Sequence, residues 1–264
     1  TNAAVLPLTR VATRCINQQV ADAVGFRASA DSRPADWPAP GSIDLAIHDL
    51  PHASSTLEWW YVNSHLTVAD GREFSLFAAF FRVRDNEDEE PERRYAHFLA
   101  WGLTDVSGGR FSAHTRLDPR APEMAVRDID AQGSGDDERL TRALREVLAK
   151  RSVPLPDRLM TRIARVERCR LDLDFDGNRF HKCDDKSYEL YVLSDDRHEA
   201  ARLRFTLDKP VVRHGDDGVV RGVEGEDMFY YFSPRCRVEG QLLVGGAWAN
   251  VATGSGWYDH EFGK

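Results

Sequence analysis

From Leu57 onward the chain alternates between apolar and polar residues, the pattern of β-strands with one buried face. Two such runs, LEWWYVNSHLTV and EFSLFAAFFRVR, flank Asp70 and Gly71, which supply the turn chemistry of a tight hairpin. The runs RYAHFLAWGLTDV and RFSAHTRL, joined by a Ser-Gly-Gly turn, predict a second hairpin. We therefore expect the first strands to form an antiparallel meander.

One segment breaks this period of two. Between Asp136 and Lys150, Leu140, Leu144 and Val147 fall on one helical face, with acidic residues at the start and basic residues at the end. Alternation then returns in CRLDLDFDGNRFH, SYELYVLS, ARLRFTLD, DMFYYFSPRCRVEG and AWANVATGSGWYDHEF. The pattern predicts an all-β fold, an antiparallel barrel or sandwich, with one inserted amphipathic helix at about 136–151.

The first 50 residues read differently. Ala12 to Val24 could carry a short helix, and Ser32 to Asp44 contains three prolines that favour an extended connection. We therefore predict a lead-in and linker over 1–50 and a β domain over 51–264.

Composition narrows the class of protein. The 264 residues are 42% hydrophobic and 30% charged, as in a globular domain, and the net charge of -8, with no block of basic residues, excludes nucleic acid as a partner. The acidic run from Arg84 to Arg94 predicts a solvated loop tip. No run is long and apolar enough for a membrane span, so we expect a cytoplasmic protein. The sequence is also compatible with a leader peptide that has been removed and with peripheral contact to a membrane.

Metal motifs are weak. The four Cys form no CxxC pair, and this predicts neither a zinc site nor a disulfide framework. DLDFDG resembles the start of a calcium loop, but Cys183 stands where that loop needs a Glu. HGDDG, from His214 to Gly218, is typical of a surface turn, and no GxSxG, P-loop or GxGxxG motif occurs. The prediction is that the protein binds no metal.

Two segments carry candidate chemistry. In LEWWYVNSHL, alternation places Trp60 on one strand face and Trp59 on the other; either one face lines a cavity or both rings fill core. In GWYDHEF, Trp257, Asp259 and Glu261 share a face. A carboxyl group among rings is driven toward its neutral form, which can donate a proton; an ion pair or cap is the structural alternative.

Taken together, HASSTLEWWYVNSHL, FSLFAAFFR, EDMFYYFSP and GWYDHEFG resemble the carotenoid 1,2-hydratases (hydroxyneurosporene synthases) and the related AttH-like proteins. The resemblance runs from about Pro51 to the end. It implies lipocalin-like β-barrels, a mostly apolar ligand site and no organic cofactor. Known activities in this superfamily are hydration of an isoprenoid double bond and cyclisation of linear polyenes.

The resemblance also implies roles for residues. The proton donor of the hydratases corresponds to Asp259, and Tyr230 and Phe232 stand where the hydratases place a His and a Trp. Because a Tyr cannot act as an imidazolium, hydration of a carotenoid itself is in doubt. The family normally continues into a second barrel, so most of that barrel is expected to be missing here, or to be supplied by a separate C-terminal chain.

Two main hypotheses follow. The first is a cofactor-free enzyme that hydrates, isomerises or cyclises a hydrophobic isoprenoid or polyene, with Asp259 and Tyr230 as catalytic residues. The second is a lipocalin-like carrier in which the same rings only bind; an Asp259 turned to solvent or paired with an Arg would favour it. A third is a structural half-domain that docks another barrel. The predicted substrate-binding residues are Glu58, Trp59, Trp60, Tyr61, Phe232, Trp257, Tyr258 and His260.

Overall fold

The computed structural model describes residues 33–85, 94–131, 138–153, 157–222 and 226–264. The predicted helix at 12–24, and most of the acidic loop after Arg84, lie outside these ranges. The elements are α1 Leu45–His48, β1 Leu57–Val68, β2 Glu73–Arg84, β3 Tyr95–Asp105, β4 Arg110–Leu117, α2 Ala121–Ala131, α3 Glu138–Lys150, β5 Asp157–Leu159, β6 Arg165–Val166, β7 Asp172–Phe175, β8 Asn178–Asp184, β9 Ser187–Leu193, β10 Ala200–Leu207, β11 Val212–Arg213, β12 Val219–Val220, β13 Met228–Val244 and β14 Ala247–Gly263.

The described strands form one 14-stranded sheet in the order β5-β4-β3-β2-β1-β14-β13-β10-β9-β8-β7-β6, with β11 and β12 paired to β13. All pairs are antiparallel except β4 with β5. The sheet curls into a half-barrel, so that Phe80 of β2 packs edge-on against Phe175 of the distant β7, with ring centroids 5.2 Å apart. The predicted all-β fold and its two N-terminal hairpins are confirmed.

Between β4 and β5 the described residues form two helices, where the sequence pattern predicts one. The predicted helix at about 136–151 is present as α3, but α2 precedes it, so the expectation of a single inserted helix is wrong. The segment APEMAVRDIDA has Pro122 in its first helical turn, where a proline is tolerated, but its apolar residues are less sharply confined to one helical face than those of α3. The calcium-like segment forms β7 and its turn into β8, and HGDDG lies in a turn, as predicted.

The concave face of the sheet buries the hydrophobic core. The side chains on this face that are fully buried include Trp60, Phe80, Phe175, Phe205, Phe229 and Phe262. Because successive residues of a strand point to opposite faces, each long strand contributes every second side chain to this core and the others to the convex, outer face.

The buried carboxylate of Asp49, directly after α1, accepts hydrogen bonds from residues of the sheet. Asp49 is 0% exposed, and its Oδ1 accepts hydrogen bonds from the hydroxyls of Tyr231 and Tyr258, both at 2.7 Å. Its Oδ2 accepts from the Tyr188 hydroxyl at 2.7 Å and from Lys182 Nζ at 2.8 Å. Burial, and then the charge of Asp49, raise the pKa of all three tyrosines well above their ordinary range, so they remain donors. The four contacts satisfy a charge that would otherwise be costly to bury.

A second buried carboxylate lies beside it. Glu58 Oε1 accepts from His52 Nδ1 and His260 Nε2, both at 2.8 Å, and Oε2 accepts from Arg82 Nε. The Arg82 guanidinium and the two imidazoles hold the pKa of Glu58 far below its usual range, although burial alone would raise it. Glu58 therefore stays ionised and connects β1, β2, β14 and the segment before β1.

We predict that Asp49→Asn lowers the free energy of unfolding by about 3 kcal/mol or more, because the amide turns one acceptor into a donor facing other donors and leaves Lys182 without a counter-charge. Urea unfolding followed by tryptophan fluorescence measures the change. The matched control is Asp70→Asn in the exposed β1–β2 turn, where little change in the free energy of unfolding is expected. Equal losses in the two variants would contradict the structural role of Asp49.

Candidate active site

Strand β14 lies in the middle of the sheet, between β1 and β13, and its alternation divides the sequence-predicted site between two faces. Tyr258, His260 and Phe262 point into the core and are fully buried. Trp257, Asp259 and Glu261 therefore point to the convex face, as the alternation predicted.

Cross-strand pairing places aromatic residues on both sides of the two acids. Asp259 is opposite Tyr61 of β1 and Phe232 of β13. Glu261 is opposite Trp59 of β1 and Tyr230 of β13, in the adjacent row. The structure thus brings together, on one face, Asp259, Tyr230, Trp59, Tyr61, Phe232 and Trp257.

Asp259 is almost sealed from water, at 7% exposure. Its Oδ2 accepts hydrogen bonds from Trp257 Nε1 at 2.8 Å and from the Tyr230 hydroxyl at 3.3 Å. Burial raises the pKa of Asp259 to about 7, against the smaller opposing effect of these two donors. No Arg or Lys among the described residues forms an ion pair with it. Near neutral pH a large fraction of this carboxyl therefore carries a proton.

Glu261 is the second acid of this face and was absent from the predicted site, although its shared face with Asp259 could be read from the sequence. Its exposure is 8%, and burial, followed by the nearby charge of Asp259, raises its pKa to about 8. Within the described ranges no hydrogen-bond donor contacts its carboxyl oxygens. Two neighbouring carboxyl groups with similar pKa values can share one proton at pH values between those two pKa values.

The surroundings of the acids are largely aromatic. The rings of Phe232 and Trp257 stack with centroids 4.5 Å apart, and Trp59, Phe81 and Phe98 continue along the face at centroid separations of 5.7 and 5.3 Å. Burial, and then the charges of the two acids, raise the pKa of Tyr230, so its hydroxyl stays protonated. Ring faces of this kind stabilise positive charge.

The other predicted site residues lie on the opposite side of the sheet. Glu58, Trp60, Tyr258 and His260 are all 0% exposed and face the core. The structure does not bring them to Asp259, because neighbours along a strand point in opposite directions. Glu58, Tyr258 and His260 belong to the two interior hydrogen-bond networks described above, and Trp60 is part of the hydrophobic core. Burial lowers the pKa of His260, although Glu58 opposes this effect.

The fold and this face together define a lipocalin-like β protein with two acids set among aromatic rings. The chain belongs to the AttH-like family, since that family's model matches residues 38–264. No curated protein matches the chain. Within the described ranges, no helix is both long and apolar enough to cross a bilayer.

Solved structures share the fold. An AttH from Nitrosomonas europaea superposes with a TM-score of 0.60 at 20% identity, over 87% of this chain and 58% of that chain. Kievitone hydratase from Nectria haematococca superposes with a TM-score of 0.56 at 13% identity, over 85% of this chain and 52% of that chain. The chain thus spans a little over half the length of these solved structures, and it shares a hydratase's fold.

We predict that the two acids make folding stability fall as pH rises. Their folded pKa values, about 7 and about 8, lie above the ordinary values of 3.8 and 4.5, so the folded state holds these protons more tightly than the unfolded state. Their contribution is complete below about pH 4 and is lost as pH rises through about 7 and 8.

The test is urea unfolding from pH 4 to pH 8 of the wild type and of Asp259→Asn/Glu261→Gln. Because other carboxylates such as Glu58 act in the opposite direction, the informative quantity is the difference in unfolding free energy between the two proteins. That difference should shift steadily against the wild type as pH rises. A difference that does not vary with pH would mean that neither acid has a raised pKa.

Proposed function

We propose that the protein is a hydratase-like enzyme that adds water to a double bond of a hydrophobic isoprenoid or polyene. The observation that carries the proposal is Asp259, a carboxyl that is buried, bound by two neutral donors and raised in pKa to about 7. It is neither turned to solvent nor paired with an Arg among the described residues, the two arrangements that would favour a simple carrier. The fold shared with kievitone hydratase supports the same class of reaction.

In the proposed mechanism the Asp259 carboxyl protonates one alkene carbon, and the cation forms at the other carbon. The Trp257 indole and the Tyr230 hydroxyl donate to the Asp259 oxygen and stabilise the carboxylate left behind. Aromatic faces stabilise the cation by about 2 kcal/mol each when desolvated. Water then attacks the cation, and the Glu261 carboxylate takes the proton that water releases.

The same protonation serves isomerisation, if a proton is lost from a neighbouring carbon, or cyclisation, if a second double bond attacks the cation. The apolar rings of this face suit a hydrocarbon substrate. The acid-catalysed step needs no cofactor, because the carboxyl group itself supplies the proton.

We predict that Asp259→Asn lowers turnover by about 100-fold or more, because the amide cannot supply the proton, while substrate still binds. Linear isoprenoids such as squalene and lycopene would be incubated in D2O, with one deuterium expected on carbon in each product molecule. Asp70→Asn, which replaces an exposed acid in the β1–β2 turn, is the matched control and should retain activity. Turnover by Asp259→Asn at the control's rate would remove Asp259 from the mechanism, and recovery of every ligand chemically unchanged from the wild type would favour a carrier.

We predict a bell-shaped pH profile for kcat/KM with its maximum between about pH 7 and 8, because the reaction needs one proton on the Asp259 and Glu261 pair. Glu261→Gln removes the proton acceptor, so it should lower kcat/KM and abolish the limb on which kcat/KM rises with pH. A Glu261→Gln profile identical in shape to the wild type would show that Glu261 takes no part in proton transfer.

A further inference from the structure

A second cluster of chemically capable side chains lies on the convex face of the other half of the sheet. His181 and Cys183 are on β8, and Glu189 is the register partner of His181 on β9. The neighbouring Phe180 and Tyr188 point into the core, so His181 and Glu189 point outward. A register irregularity between Lys182 and Asp184 occurs at Cys183, whose side chain is exposed.

The separations between the donor atoms suit a metal ion. Cys183 Sγ lies 3.7 Å from His181 Nε2, and Nε2 lies 3.5 Å from Glu189 Oε2. All three donor atoms lie within 4.8 Å of one another. In a tetrahedral zinc site, with Zn–N of about 2.0 Å and Zn–S of about 2.3 Å, neighbouring donors are about 3.3 to 3.6 Å apart. Small side-chain rotations therefore bring the three donors to a common centre.

The environment of Glu189 supports one ligating orientation. Arg204 Nε donates to Glu189 Oε1 at 3.2 Å, which leaves Oε2 directed at His181. Hydrogen bonds that orient a ligating carboxylate in this way are a regular feature of metal sites. A thiolate at Cys183 and the carboxylate of Glu189 together cancel the charge of a divalent cation, so the positive charge of Arg204 faces a neutral centre.

The interior group formed by His52, Glu58 and His260 offers similar ligand types but is a poorer site. All three residues are buried, Glu58 Oε2 is occupied by Arg82, and Oε1 already accepts from both imidazoles. The outer cluster has an open approach, because a groove of about 780 Å³ borders it, lined in part by Tyr191 and Glu239. Water or a ligand can enter from this groove.

We propose that His181, Cys183 and Glu189 form a zinc-binding site, with the fourth coordination position open to the groove. The mixed nitrogen, sulfur and oxygen donor set selects a borderline transition metal such as Zn²⁺ over Ca²⁺ or Mg²⁺, which prefer oxygen alone. This proposal departs from the sequence-based prediction of no zinc site, which rested on the absence of a CxxC pair. The His-x-Cys pair on β8 and the cross-strand Glu complete a set that such a search does not detect.

The test is titration of the reduced protein with Zn²⁺ by calorimetry and with Co²⁺ by absorption spectroscopy. We expect one equivalent of each metal to bind, with a thiolate-to-cobalt charge-transfer band and the strong d–d bands of tetrahedral coordination. His181→Ala and Cys183→Ser should each weaken binding by at least tenfold and remove the rise in Tm that Zn²⁺ causes. Ca²⁺ should give no saturable binding.

The matched control is Cys15→Ser/Cys169→Ser, which leaves Cys183 and the buried Cys236 as the remaining thiols. This control should bind both metals like the wild type. Metal-free Tm values of all variants verify folding, and they are expected to agree with the wild type because Cys169 and Cys183 are exposed and His181 faces outward. Absence of one-to-one binding by the wild type, binding that survives Cys183→Ser, or loss of binding in the control would each overturn the proposal.

Discussion

The alternation of side chains along β14 is the constraint on which the rest of the structure depends. His260 and Tyr258 reach into the core, where they join the networks of Glu58 and Asp49, while Asp259 and Glu261 face outward. A shift of register by one residue would exchange these sets, placing two acids in the core and the hydrogen-bonded His and Tyr outside. The interior networks therefore fix which carboxyl groups the convex face presents.

Two kinds of buried carboxyl group result, and their partners decide their charge. Glu58 accepts hydrogen bonds from an arginine and two imidazoles, and these contacts keep its carboxylate ionised although it is fully buried. Asp259 has an indole N–H and a phenol, which are weaker stabilisers of the anion, so burial prevails and its pKa rises to about 7. The first arrangement keeps a buried carboxyl group charged, and the second leaves a buried carboxyl group partly protonated near neutral pH.

Much of this architecture could be predicted from local pattern. Asp70 and Gly71 marked the first hairpin, and alternation assigned Asp259 and His260 to opposite faces. The interior networks could not be predicted, because Asp49 meets Tyr231 and Tyr258 across 182 and 209 residues of sequence and no local pattern signals such contacts. Conversely, the sequence analysis assigned residues from both faces of β1 and β14 to one binding site. Because successive side chains of a strand point to opposite faces, Glu58, Trp60, Tyr258 and His260 lie on the other side of the sheet from Asp259.

The central claim is that Asp259 holds a proton at neutral pH because it is buried among rings without a cationic partner. The most direct measurement is a titration of its side-chain carboxyl carbon by NMR in protein labelled with ¹³C at aspartate, with the resonance assigned by its loss in Asp259→Asn. We expect a midpoint at about pH 7. A midpoint near pH 4, the ordinary range of an aspartate, would contradict it.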